Sequence, residues 1–204
     1  MRILTAALLS LFLNLIVAVP AGAAGANPAE TVVTNLHAAL LNNMQQAKVY
    51  GCDGRRKHLE PIVDRSFNLP LVAQSALRRH WKELSEQQRS QFIAAFREDV
   101  MVTYASRFDS YDGEVFTTLS SQALPNGDQL VHAKLQPKED DPVMFDYVLR
   151  GKGDNWAIIN VVAGGVSDLA LRSTQYARLY DQKGFDGLLA WVHAQTDKSR
   201  SACK

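Results

Sequence analysis

Residues 143–167 read VMFDYVLRGKGDNWAIINVVAGGVS, and the pattern of this stretch decides the fold. Phe145, Tyr147 and Leu149 alternate with more polar residues, which predicts a strand with one dry and one wetter face. After a short glycine-containing turn, residues 156–163 are apolar on both faces, which favours a central or covered strand. Two strands joined by so short a turn pair in antiparallel fashion.

The same period of two extends upstream, where residues 125–128 and 139–142 have the Pro, Asn, Gly and Asp composition of turns. These short connections predict a meander in which each strand lies beside the next one. The four predicted strands are about 114–123, 129–136, 143–150 and 156–163.

Residues before the sheet follow helical spacing, with apolar positions at intervals of three and four. This pattern predicts a helix from Pro28 to Lys48, and then a short helix with Pro61 in its first turn. Asn68 can cap a further helix. A long helix follows the capping-box pair Ser85 and Gln88. Its apolar stripe, which predicts packing against the sheet, consists of Phe92, Ile93, Phe96, Val100, Met101, Tyr104 and Phe108.

The chain ends in helical patterns again. Ser167 can cap a helix that runs to about Gln182, and Gly184 is a natural stop signal for it. A last amphipathic helix and a short polar tail follow. We therefore expect residues 27–204 to form one α+β domain, with a sheet of about four strands wrapped by helices.

The charge balance excludes several classes of protein. The 22 Lys and Arg residues meet 21 Asp and Glu residues, a net charge of +1, whereas nucleic-acid binding needs an excess of basic residues. The hydrophobic fraction of 47% is typical of a globular protein and argues against disorder or many membrane spans.

Residues 1–26 have the pattern of a secretory signal peptide. Arg2 precedes an apolar run over residues 3–19, and Ala21–Ala23 and Ala24–Ala26 both fit a small-x-small cleavage site. The alternative is a retained anchor, although this run is marginal for spanning about 30 Å of hydrocarbon. Either way, we expect the remaining chain to lie outside the cytoplasm.

Export also bears on the two cysteines. An oxidising compartment makes a disulfide between Cys52 and Cys203 possible. An unpaired Cys203 in the polar tail is an equally supported alternative.

No motif for catalysis or metal binding emerges from the sequence. None of the five histidines forms a His-x-x-x-His pair, and Gly165–Leu169 lacks the final glycine of a nucleophile elbow. We therefore predict no cofactor, no metal and no catalytic residue.

Several segments together resemble the MlaC family, also called toluene-tolerance proteins, of periplasmic phospholipid carriers. The resemblance extends from about Leu36 to Val192. Its strongest segments are Leu77–Trp81, Ser85–Phe92, Phe96–Arg97, Tyr104, Tyr111–Gly113, Trp156, Asn160–Ser167, Gln175–Tyr176 and Gly184–Leu188.

The resemblance implies a twisted antiparallel sheet wrapped by helices, similar to nuclear-transport-factor-2 (NTF2)-like domains, with acyl chains held in an internal apolar cavity. It also implies two partners that exchange lipid with the carrier and maintain outer-membrane lipid asymmetry: an inner-membrane lipid ABC transporter assembly and an outer-membrane lipoprotein complex. Asn68, Asn160, Gly164 and Arg172-Ser173 depart from the residues that the family often has. The sequence of residues 165–170 is similar to that of the hopanoid-biosynthesis-associated (HpnM-like) branch of the family. The implied ligand is therefore a phospholipid or a hopanoid-like lipid.

A carrier needs apolar side chains that face a cavity on the sheet and on the helices that cover it. Each candidate can equally be an ordinary core residue, because apolar residues at regular spacing usually are. The candidate lipid-binding residues are Phe92, Phe96, Val100, Tyr104, Val131, Phe145, Tyr147, Trp156, Ile158, Val166, Leu169 and Tyr176.

The sequence also allows two other hypotheses about function. An isomerase or hydrolase acting on a hydrophobic terpenoid would need an acid or base deep in the cavity, for which Asp146 and His132 are the strand residues available. An adaptor that binds only protein would have no internal cavity.

Overall fold

The computed structural model describes residues 27–203, so the predicted signal peptide at residues 1–26 lies outside the described part. Helices and strands combine in an α+β architecture, which confirms the predicted class. Within residues 27–203, none of the helices has both the length and the apolar character of a membrane span. The helices are α1 (Pro28–Gln45), α2 (Ala47–Ser66), α3 (Leu69–Leu77), α4 (Glu86–Arg107) and α5 (Asp168–Ala202), with a 3₁₀ turn at Arg78–Glu83. The strands are β1 (Val115–Ala123), β2 (Gln129–Gln136), β3 (Val143–Lys152), β4 (Asn155–Ala163) and β5 (Val166–Ser167).

The strands form one antiparallel sheet in the order β1-β2-β3-β4-β5, which confirms the predicted meander. The fifth strand was not predicted, and it pairs only with Val162 and Ala163 of β4. The prediction that β4 is central or covered is confirmed, because this strand lies between β3 and β5 and packs against α1, α2, α3 and α5. Within it, Ile158 is fully buried and most of the other residues are partly buried.

The two faces of the sheet differ as the alternation in β3 predicted. Tyr147 and Leu149 are buried on the face that the helices cover, which we call the inner face. Asp146 pairs across the sheet with His132 of β2 on the opposite face, and Arg150 on that face is exposed. The inner face therefore carries the apolar side chains of the core.

The structure confirms the predicted N-terminal caps of α3 and α4. The Asn68 side chain accepts a hydrogen bond from the Leu71 backbone N–H at 3.1 Å and begins α3. At the start of α4, the Ser85 hydroxyl accepts from the Gln88 N–H, and the Gln88 side chain accepts from the Ser85 N–H. This reciprocal capping box confirms the predicted start of the long helix α4.

The predicted helix boundaries before residue 68 need correction. The first helix ends at Gln45 rather than Lys48, and Pro61 lies inside α2 rather than in a first turn. The chain breaks helical geometry at Gly51, whose φ of 58° lies in the left-handed region that glycine tolerates. Helical geometry resumes after Gly51, well before Pro61. The buried Leu59 and Val63 then lie four residues apart on one face of the helix.

The predicted polar tail at the end of the chain also needs correction, because it is helical. Gly184 interrupts helical geometry with a φ of 66°, as predicted, but α5 then continues to Ala202. A disulfide joins Cys52 to Cys203 across 151 residues of sequence. Beside it, the buried guanidinium of Arg55 donates to the carbonyl oxygens of Ala105 and Ala47 at 2.9 and 3.0 Å. The last turn of α5 is thus fixed to α2 and α4.

We expect the Cys52–Cys203 disulfide to contribute about 3–5 kcal/mol to the free energy of unfolding, because it closes a long loop in the unfolded chain. The double variant Cys52→Ser, Cys203→Ser should lose this amount in urea unfolding, and wild type treated with reductant should behave in the same way. Two thiols that react with a labelling reagent in unreduced, denatured wild type would contradict the pairing.

Candidate functional site

An apolar cavity of about 320 Å³ lies between the inner face of the sheet and the helices. Its volume is at the lower end of the range of about 300–1,000 Å³ that ligand pockets occupy. The apolar side chains of its wall are Leu40, Phe67, Leu69, Val72, Phe96, Val100, Phe108, Phe145, Ile159, Val161, Ala163, Val166, Leu169 and Leu171, and the aromatic rings of Tyr104 and Tyr147 join them. The polar residues of the wall are Thr103, Arg107, Asn160, Asp168 and Arg172.

Regular geometry explains why these residues converge. Phe96, Val100 and Tyr104 recur every fourth residue of α4, so they lie on one face of that helix. Phe145 and Tyr147 of β3 point to the inner face with a period of two. Each of these two patterns places a row of side chains toward the same space.

A bulge in β4 adds two more wall residues. The register of β3 and β4 shifts so that Val148 pairs with Asn160 and Leu149 pairs with Ile158. Ile159 is therefore the extra residue on the bulged strand, and both Ile159 and Asn160 line the cavity. A strict alternation of faces would have placed only one of the two there.

The cavity reaches the surface between the end of α4 and the start of α5. Val166 and Leu171 line it although they are 51% and 60% exposed. Arg107 and Asp168 line it as well and are also exposed. We call these four residues the mouth of the cavity. They combine apolar side chains with one cation and one carboxylate.

A buried polar pair joins the cavity wall to α1. The His37 Nε2 atom is 2.9 Å from the Tyr147 hydroxyl oxygen, and the His37 ring stacks on Phe116 with centroids 4.2 Å apart. Burial lowers the pKa of His37 to about 4, so its imidazole is neutral near pH 7. Sequence reasoning missed this pair, because a single histidine in a helical apolar stripe carries no distinctive signal.

Arg172 fixes α5 against α4 at the edge of the cavity. Its guanidinium donates to Asp99 at 2.7 Å, to Asp168 at 2.8 Å and to the Tyr176 hydroxyl at 3.0 Å. It also lies 5.1 Å from the ring centroid of Phe96, within range of a cation–π contact. Asp99 is buried, so this arrangement supplies the partner that a buried carboxylate requires.

The structure places the predicted lipid-binding residues in two groups. Seven of them line the cavity: Phe96, Val100, Tyr104, Phe145, Tyr147, Val166 and Leu169. The other five lie outside its wall: Phe92, Val131, Trp156, Ile158 and Tyr176. Phe92 and Tyr176 are fully buried and in edge-to-face contact at 5.6 Å, and the Trp156 Nε1–H donates to the Gly153 carbonyl oxygen at 2.8 Å. Binding of lipid by individual residues stays a prediction.

Leu40, Phe67, Leu69 and Val72 were not among the predicted residues, although they line the cavity from the helices before α4. Their helical spacing indicated only that they are buried. Arg107 was also missed, although its place four residues after Thr103 on the cavity stripe of α4 is a usable signal.

The acid and base of the enzyme hypothesis lie on the wrong side of the sheet. The His132 Nδ1 atom is 2.6 Å from an Asp146 carboxylate oxygen, so the two residues do form a pair. Both point to the outer face, with 31% and 41% of their side chains exposed, and neither lines the cavity. Within residues 27–203, no group of three or more His, Cys, Asp or Glu side chains is placed to hold a metal.

Comparison with known proteins identifies two similarities. The family model described as MlaC protein matches residues 31–193, well over half of the chain. A solved structure of a phospholipid-binding protein from Ralstonia solanacearum, in complex with a phospholipid, superposes with a TM-score of 0.73 and 16% identity. This match covers 84% of the present chain and 96% of the other. At this identity, the structural likeness shows that the two proteins share a fold.

The neutral, buried His37 makes stability depend on pH. An unfolded chain takes up a proton near the ordinary histidine pKa of about 6.5, whereas the folded pKa is about 4, so stability falls as the pH falls between these values. We expect the free energy of unfolding to drop by about 2 kcal/mol from about pH 7.5 to about pH 5 because of this group. His37→Gln, measured by urea unfolding at both pH values, should remove that part of the drop.

The matched control is His193→Asn, since His193 is exposed on α5. This variant should keep the wild-type dependence on pH. A drop of the same size in His37→Gln and in wild type would assign the effect to other groups.

Proposed function

The chain belongs to the MlaC family, and from this premise we propose that it is a lipid carrier, which binds phospholipid or a hopanoid-like lipid with its acyl part in the cavity. The apolar cavity between sheet and helices, open to the surface at one side, is the observation that carries the proposal. The complex of the Ralstonia solanacearum protein with a phospholipid supports it, because that protein has the same fold.

The free energy of hydration explains what such a cavity does. Exposure of an acyl chain to water costs about 0.8 kcal/mol for each methylene, which is on the order of 12 kcal/mol for a chain of about sixteen carbons. A preformed apolar wall replaces that water with side-chain contacts. The function is therefore binding and release, for which the wall needs no nucleophile and no metal.

The polarity of the wall orients the ligand. Buried side chains such as Leu40, Leu69 and Phe96 form the enclosed part, whereas Arg107 and Asp168 stand at the mouth. An amphipathic lipid fits this gradient only with its acyl chain inside and its polar head at the surface, because a buried charged head would lose its hydration.

We also propose that the carrier works in the periplasm after removal of residues 1–26, as a single domain of residues 27–204. The apolar run and small-x-small sites of the signal pattern support export, and the Cys52–Cys203 disulfide suits an oxidising compartment. In this proposal the protein shuttles lipid between the inner and outer membranes, and its partners are an inner-membrane lipid ABC transporter assembly and an outer-membrane lipoprotein complex.

A pair of neighbouring substitutions tests the cavity directly. Val161 lines the cavity, whereas Val162 points to the outer face and pairs with Asp146 and Ser167. Val161→Phe should lower the lipid bound after incubation with phospholipid vesicles by about tenfold, because it fills space that an acyl chain would occupy. Val162→Phe, on the same strand, should bind as wild type does.

Bound lipid is measured by solvent extraction and mass spectrometry of protein that has first been stripped of lipid, and urea unfolding checks that both variants fold. Wild type that takes up no lipid from vesicles would refute the carrier proposal. Equal loss of binding in both variants would refute the placement of the acyl chain in this cavity.

A further inference from the structure

The mouth of the cavity carries two opposite charges that belong to different helices. Arg107 ends α4, and Asp168 begins α5. Both line the cavity, and both are exposed. The neighbouring Arg172 is already engaged, because its guanidinium contacts both Asp99 and Asp168. The mouth therefore offers one cation and one carboxylate to a ligand.

Arg107 has capacity for an anion. It forms no ion pair with any carboxylate of residues 27–203, unlike Arg172 or Arg200. A guanidinium presents several N–H donors in a plane, which suits the oxygens of a phosphate. Arg107 is thus the cation of the mouth that a phosphate can approach from solvent.

Asp168 has capacity for a cation. One of its carboxylate oxygens accepts from the Arg172 Nε–H at 2.8 Å, whereas the other has no hydrogen-bond partner among residues 27–203. Its side chain is 51% exposed.

Tyr104 links the two charges to the cavity. It lies one turn before Arg107 on α4, a rise of about 4.5 Å, and its hydroxyl has no hydrogen-bond partner among residues 27–203. Burial raises the pKa of Tyr104, as does the Asp168 charge, while Arg172 and Arg107 act in the opposite direction. The phenol therefore stays protonated, lies near all three charged groups, and can donate to an ester oxygen.

We propose that Arg107, Asp168 and Tyr104 form a headgroup subsite for a zwitterionic phospholipid, in which Arg107 holds the phosphate and Asp168 holds the ammonium group. This inference rests on the proposed carrier function and names its preferred ligand class. The Tyr104 hydroxyl hydrogen-bonds to an ester oxygen where the acyl chain enters the cavity. A headgroup with a net negative charge fits less well, because Asp168 then faces no cation of the ligand.

The test uses competition between two headgroups with the same acyl chains. Stripped protein is incubated with vesicles of phosphatidylethanolamine and phosphatidylglycerol in equal amounts, and the bound lipids are counted by mass spectrometry. Wild type should bind about threefold to fivefold more phosphatidylethanolamine than phosphatidylglycerol, which is the size of effect that one exposed ion pair provides.

Two variants separate the roles of the charges. Arg107→Gln should weaken uptake of both lipids by about threefold to fivefold, because both carry the phosphate. Asp168→Asn should bring the ratio of the two bound lipids close to one, because it removes the partner of the ammonium group. The controls are Arg178→Gln and Asp186→Asn, which alter exposed charges elsewhere on α5 and should leave uptake and ratio unchanged.

Asn at position 168 can still accept from Arg172, and urea unfolding verifies the fold of each variant. Wild type that loads both lipids equally, or prefers phosphatidylglycerol, overturns the subsite while the carrier function stands. A ratio that Asp168→Asn leaves unchanged overturns the role of that carboxylate. Wild type that loads neither lipid refutes the carrier function itself, and the subsite with it.

Discussion

Burial of the inner face of the sheet against the helices is the interaction on which the rest of this structure depends. Protein interiors are normally packed without large voids. Here one part of the inner face is closely packed and another part lines the cavity. Near the β3–β4 hairpin, Leu149 and Ile158 are fully buried in the core. Farther from that hairpin, Phe145 and Ala163 are only partly buried and line the cavity. The same apolar surface that stabilises the fold therefore also forms the wall of the cavity.

An unfilled space of this kind persists only if the helices around it are held apart by contacts elsewhere. Arg172 holds the start of α5 to α4 through the buried Asp99, and the Cys52–Cys203 disulfide holds its last turn to α2. A buried ion pair contributes little net stability, but removal of one partner leaves a costly unpaired charge. An arrangement of the two helices that separates Arg172 from Asp99 is therefore disfavoured.

Features that depend on neighbouring residues could be predicted from the sequence. The strands were placed to within about two residues, because period-two alternation and short turns are local signals. The capping box at Ser85 was predicted for the same reason. The pairing of Cys52 with Cys203 could only be left open, since the two lie 151 residues apart. The cavity wall was predicted only in part: a helical stripe shows that Phe92 and Phe96 are buried, but it does not tell which of them contacts protein and which lines the cavity.

The buried hydroxyl of Tyr147 shows how the polar groups of the cavity are arranged. That hydroxyl is hydrogen-bonded to a neutral His37. Its hydrogen-bonding capacity is therefore met within the protein, and the ring of Tyr147 adds apolar surface to the wall. At the mouth the opposite holds: among residues 27–203, Arg107 has no ion-pair partner and the second carboxylate oxygen of Asp168 has no hydrogen-bond partner. In the proposed carrier, the satisfied Tyr147 hydroxyl inside and the unsatisfied polar groups at the mouth would give an amphipathic ligand one orientation. Because each methylene that leaves this wall for water costs about 0.8 kcal/mol, a ligand held in this way leaves efficiently only into another apolar surface placed against the mouth.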